Sequence, residues 1–214
     1  MTYLEVVNKV LRRLRENEVA SITETPYSEL IADFVNDVKR DIENAWDWEA
    51  LHSSITVNTT AGTFLYTVTG GNENSRIYQV FNTTDQFPMQ YQPKSWFNRI
   101  RNLSTVEQNS PFYYSWEVIN TSTRALKFEV YPTPDDVYTI TFYGYFPQDE
   151  LTDGATVVSI NGDLLVEGVL ARALSERGEA QDYVAQEQKF SNRLSDMIAI
   201  EAARRVEDIT WTRC

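Results

Sequence analysis

Charge avoids the middle of this chain, and that segregation restricts its fold more than any single motif. Residues 1–50 carry 11 acidic and 6 basic side chains, and residues 148–214 carry 13 and 7. Residues 51–147 carry only 7 and 6, yet hold 19 of the 27 aromatic residues and 14 threonines. Aromatic and β-branched side chains suit a pleated, half-buried surface. The chain therefore reads as helix-rich, strand-rich, then helix-rich.

The first helix is predicted over about residues 3–16, because Leu4, Val7, Leu11 and Leu14 recur at spacings of three and four. Thr2 with Glu5 fits a capping box. Arg12, Arg13 and Arg15 fall in its last turns, where cations suit the helix dipole, and read as a solvated helix end. A second helix is predicted from Pro26, capped by Thr25, to about Trp48. Tyr27, Leu30, Ile31, Phe34, Val38, Ile42 and Ala45 give it one apolar face. Asp33, Asp37 and Asp41 stand one turn apart on the other face. They read as solvated, with a basic partner surface or a divalent ion as alternatives.

The middle reads as antiparallel strands. Runs at 54–58 and 63–68 flank Ala61-Gly62, a hairpin signal. Further strands are expected at 76–81, 87–91, 113–119, 125–130 and 138–145, with a short helix at 93–103 carrying Trp96, Phe97 and Ile100 inward. The loop 120–124 reads as a hairpin, and Tyr131-Pro132-Thr133-Pro134 as a turn. In 138–145 neither alternating set is strongly polar, so the strand belongs to a sheet that is either sandwiched or covered by a neighbouring copy, a hint of oligomer contact. Two helices follow: Leu164–Arg177, capped by Asp163 and stopped by Gly178, and a last one from Glu179 or Ala180 to about Arg205. The last helix carries Tyr183, Phe190, Leu194, Met197 and Ile198, interrupted by Gln186 and Glu187.

The expected fold class is α+β: N- and C-terminal helices form a bundle, and an antiparallel β domain is inserted between them. The predicted boundaries are 1–50 and 148–206 for the two parts of the helical domain, 51–147 for the insert, and 207–214 for a C-terminal tail.

The residue types needed for several chemistries are missing. With one cysteine, Cys214, and one histidine, His52, neither an internal disulfide, a thiolate metal site nor a poly-His site can form. No nucleophile elbow accompanies His52. Gly70-Gly71-Asn72 lacks the lysine and further glycines of a phosphate loop. Asp149, Glu150 and Asp153 could serve a glycosidase only if the fold paired them across a cleft. No cofactor is expected. The N-x-S/T triplets at Asn58, Asn82, Asn102 and Asn120 read as polar loop or edge residues. No apolar run approaches a bilayer span, and no signal peptide is recognised at the N-terminus, so no membrane partner is expected. A net charge of −12 opposes binding to a phosphate backbone, and the cluster Phe112-Tyr113-Tyr114 with Trp116 lacks the interleaved cations that base stacking uses.

Four stretches carry a resemblance. They are Tyr3-Leu4-Glu5-Val6-Val7-Asn8, Ile42-Glu43-Asn44-Ala45-Trp46-Asp47-Trp48, Tyr131-Pro132-Thr133-Pro134, and the segment from Asp163 through Met197. In these and in the order of its parts, the chain resembles the head-to-tail adaptor proteins of short-tailed bacteriophages, the tail tubular protein A or gatekeeper group. The resemblance implies a structural, non-enzymatic role in the virion at the head–tail interface, after assembly in the host cytoplasm. It implies a homo-oligomeric ring of about twelve copies between the portal protein and the tail nozzle or tail tube, with DNA passing through without sequence-specific binding. It brings no catalytic residues. A small cell-wall hydrolase and a generic interaction module stay open as alternatives. The candidate partner contacts are Arg204, Arg205, Trp211 and Arg213.

Overall fold

The computed structural model describes residues 1–103, 107–117 and 125–204. The expected hairpin loop at 120–124 lies outside the described residues, as do Arg205, Trp211 and Arg213. The architecture is α+β, with N- and C-terminal helices flanking an antiparallel β insert. The chain divides into two compact units, Met1–Ala50 with Glu150–Cys214, and Leu51–Asp149.

In the helical unit, α1 is Tyr3–Arg13. Both arms of its capping box form: Thr2 Oγ1 accepts from the Glu5 N–H at 3.2 Å, and the Glu5 carboxylate accepts from the Thr2 N–H at 2.8 Å. The helix stops short of the predicted residue 16 because Arg15 turns left-handed, with φ 61°. The Glu16 N–H then reaches the Leu11 carbonyl and the Arg15 N–H that of Arg12, a Schellman stop without glycine. Helix α2 is Pro26–Ala45, capped by Thr25 as predicted. It ends before Trp48, whose indole N–H folds back onto the Ile42 carbonyl at 2.6 Å.

Helix α4 (Gly162–Glu176) is capped by Asn161, not by Asp163. The Asn161 side chain accepts from the backbone N–H groups of both Asp163 and Leu164, whereas the Asp163 carboxylate pairs with Lys9 at 3.2 Å. Gly178, at φ 77°, closes α4 with the same hydrogen-bond pattern that Arg15 gives α1. Helix α5 is Ala180–Arg204. The core comprises Val6, Val7 and Val10 of α1, Ile31, Val35 and Ile42 of α2, and Leu164, Leu165 and Val169 of α4, all at most 1% exposed. Residues of α5 only half-bury one face, and Glu201 is its one buried residue.

Asn36 sits in the apolar face of α2. Its side chain pairs with both backbone groups of Leu151, at 2.9 and 3.0 Å, and its amide also reaches the Tyr3 hydroxyl. That hydroxyl donates in turn to the Ala32 carbonyl. One buried amide thus ties α1, α2 and the chain ahead of α4 together.

The second unit is a sandwich of two four-stranded sheets. Its elements are β1 (His52–Asn58), β2 (Leu65–Val68), β3 (Arg76–Asn82), β4 (Phe87–Pro88), β5 (Gln90–Tyr91), helix α3 (Lys94–Leu103), β6 (Tyr113–Glu117), β7 (Leu126–Tyr131) and β8 (Thr139–Tyr145). One sheet has the order β1-β8-β3-β4 and the other β2-β7-β6-β5. The expected hairpin around Ala61-Gly62 is not one. Gly62 takes the predicted turn conformation at φ 77°, but β1 pairs with β8 and β2 with β7, so the turn carries the chain from one sheet to the other. Burial decides this pairing, since Ile55 and Val57 of β1 and Tyr66 and Val68 of β2 meet in the core between the sheets. The short β5 runs parallel to β6, the one departure from antiparallel order among the described strands. Phe128 and Phe142, from opposite sheets, meet edge-to-face at 4.7 Å at the centre of the core.

Candidate functional site

Helix α4 gathers the charge of the helical unit. Glu167 is 1% exposed. Its carboxylate holds Arg13 of α1 at 3.0 Å, Lys189 of α5 at 2.9 Å and Arg193 of α5 at 3.3 Å, and accepts from the Gln186 amide. Burial alone would raise its pKa, but the hydrogen bonds from Lys189, Gln186 and Arg13 prevail and bring it to about 2. Gln186, which breaks the apolar stripe of α5 in sequence, is there to reach this carboxylate. Arg13 belongs to the same cluster rather than to a solvated helix end. One turn earlier, Lys9 pairs with Asp163, so α1 and α4 run parallel under a two-rung ionic ladder.

The acidic face of α2 lies on another side of α4. Asp37 and Asp41 are engaged by Arg172 of α4, so these two are not simply solvated, while Glu29 and Asp33 extend the stripe as exposed residues. On the buried side of α2, Lys39 and Glu43 pair at 3.3 Å, both 3% exposed. Gly168 stands where α2, α4 and α5 converge: a Cβ there would meet Val38 Cγ1 at 2.6 Å and Phe190 Cε2 at 2.9 Å.

In the sandwich unit the two outer sheet faces differ. Helix α3 lies on the outer face of the second sheet, where Trp96 packs on Tyr113 and Tyr131 at 5.0 and 5.6 Å. Beneath it Glu129, fully buried, pairs with Lys94 and Arg101, each at 2.8 Å, and the Arg101 guanidinium stacks on Phe64 at 3.6 Å. Burial alone would lower the Lys94 ammonium, but Glu117 and Glu129 outweigh it and raise its pKa.

The outer face of the first sheet is built differently. Register places His52, Ser54, Thr56 and Asn58 of β1 beside Tyr145, Tyr143, Thr141 and Thr139 of β8, with Arg76, Gln79 and Phe81 of β3 on the far side. None of these residues is a carboxylate. The one full charge, Arg76, lies over the Tyr145 ring at 5.0 Å. Ser54, Thr56, Asn58, Gln79 and Tyr143 are exposed, as is Tyr78 at the adjoining bulge.

The residues singled out from sequence do not converge. Arg204, at the end of α5, is exposed and pairs with Glu201 within its own helix. His52 packs its ring between Tyr78 and Tyr145. Asp149 accepts from the Asn72 side chain, and Asp153 closes a tight turn through the Ala155 N–H. Among the described residues no group of three or more His, Cys, Asp or Glu side chains is placed to hold a metal ion. Tyr114 and Trp116 pack against the sandwich core and Phe112 stacks on Phe87, so the aromatic run is structural. Sequence reading missed Glu167, Asn36 and Glu129. For Glu167 and Asn36 the signal was a polar residue inside an apolar stripe, as in Leu165-Val166-Glu167-Gly168-Val169, whereas Glu129 alternates with Phe128 and Val130 as any outward-facing strand residue would and gave no signal.

The family of SU10 adaptor proteins matches residues 1–211. No curated protein matches the chain. The chain belongs to the SU10 adaptor family: it is a structural head-to-tail connector, a virion component at the head–tail interface, and not an enzyme.

Proposed function

We propose that this SU10 adaptor closes into a ring of about twelve copies between the portal protein and the tail nozzle or tail tube, leaving a channel for the genome. The observation that carries the reading is the outer face of the β1-β8-β3-β4 sheet, which has no carboxylate in a chain with 31 of them. Copies that each carry a net charge of −12 repel one another, and contact costs least where that charge is missing. The same excess of acid favours a channel to which DNA does not adhere. The C-terminal residues Arg204, Arg205, Trp211 and Arg213 are the proposed contacts with neighbouring virion proteins.

The test is mass by light scattering, for the protein alone and after mixing with the portal protein of the same phage. A complex holding about twelve added copies supports the proposal, as does a preformed ring of the protein alone. Monomer in both samples at micromolar concentration overturns it.

A further inference from the structure

Two flanks of the helical unit carry opposite surplus charge. On the first, Lys9, Arg13, Lys189 and Arg193 surround two carboxylates of α4, Asp163 and Glu167, so that this ion-paired cluster by itself has a surplus of two positive charges. These cations keep 39%, 41%, 57% and 41% of their side chains exposed, so all four remain open to a further partner. On the second, Glu29, Asp33, Asp37 and Asp41 follow one another at every fourth position of α2. Arg172 and Arg40 answer Asp37 and Asp41, while Glu29 and Asp33 make no ion pair among the described residues. That leaves a surplus of two negative charges.

The flanks point in different directions. Glu167 marks the first and Arg172 the second, and five residues of α-helix separate them by roughly 140° around the α4 axis. A surface that is complementary to another part of the same molecule, facing another way, is what a head-to-tail contact between identical subunits uses.

We infer that neighbouring copies meet through these flanks, the Lys9–Arg13–Lys189–Arg193 cluster of one receiving the Glu29–Asp33 end of the α2 stripe of the next. The inference rests on the ring reading above and assigns it a subunit contact. Opposite charge fixes the register of such a contact and rejects the alternative of like against like. Because the charged groups of both flanks are partly exposed to solvent, the contact weakens as salt rises.

Two charge-reversed proteins test it: Glu29→Lys with Asp33→Lys, and Lys9→Glu with Lys189→Glu. The second retains Arg13 and Arg193 on Glu167, and an unchanged circular dichroism spectrum with a cooperative melt certifies each fold. Assembly is read by light scattering with the portal protein present. Each reversed protein alone is expected to need a concentration about tenfold higher or more for half-assembly. An equimolar mixture of the two restores assembly, since each reversed flank then meets its complement. If a reversed protein misfolds, Asp33→Asn and Lys189→Gln replace the pair and show the same order with a smaller shift. Wild-type rings together with unshifted variants overturn the contact and leave the ring standing, as does a mixture that fails to recover. Wild type that never assembles overturns the ring itself.

Discussion

Glu167 makes the helical unit sensitive to acid. Its carboxyl is held at about 2 when folded, against 4.5 in an unperturbed chain. A group depressed in this way stabilises the fold above its unfolded value, and the contribution disappears as pH falls through about 2. The difference corresponds to about 3 kcal/mol. Glu167→Gln should lower stability at neutral pH and flatten the loss between pH 4.5 and 2; denaturant midpoints of the two proteins across that range check it, and parallel curves would refute it. Asn36 offers a test without charge. Asn36→Ala strands a buried N–H and a buried carbonyl of Leu151, and should cost about 2–4 kcal/mol, measured by urea unfolding. A cost below about 0.5 kcal/mol would mean that water replaces the amide. Neither residue could be assigned from sequence. A polar side chain in an apolar stripe announces that some partner exists, but Leu151 lies 115 positions from Asn36 and spacing says nothing across that interval.

Elements were far more legible than their pairing. The capping box at Thr2, the Thr25-Pro26 start and the Gly178 stop use rules that act within a few residues, and all three stand where the local pattern put them. Local rules failed where two signals competed. Asp163 was the expected cap of α4, but its carboxylate is drawn to Lys9 and Asn161 takes the cap. At Ala61-Gly62 the turn was right and the partner strands were wrong, since the turn sets a change of direction while core burial chooses the ladder. The same logic gives an element-scale prediction at Gly168. Alanine ordinarily favours a helix over glycine by about 1 kcal/mol. Here the added methyl would strike Val38 and Phe190, so Gly168→Ala should reverse the sign and destabilise by about 1–3 kcal/mol. Limited proteolysis should then cut α5 first, because that helix buries only part of one face. A stabilised variant would show that the three helices can move apart at little cost.

At the scale of the whole molecule, fold class was readable because composition changes twice along the chain, and each change accompanies a change of structure. What a connector touches was readable only in part: the two weakly polar sides of 138–145 hinted at a covered sheet, but the rest of such a surface is assembled from residues far apart in sequence. The first sheet brings together β1, β8 and β3, and only their register exposes a face free of acid. The way the insert begins and ends has a further consequence. Its first and last strands, β1 and β8, are neighbours in one sheet, with His52 opposite Tyr145 and the Phe146 N–H on the Leu51 carbonyl at 2.9 Å. The two places where the polypeptide leaves and regains the helical unit are therefore side by side, and bridging them with a few glycines would close a loop at small entropic cost. A protein with residues 51–149 replaced by such a bridge should keep the helical circular dichroism and cooperative melting of its own core; a molten product would show that the helices depend on the insert. If the core survives, the sandwich is a cassette, and one helical body could carry a different insert.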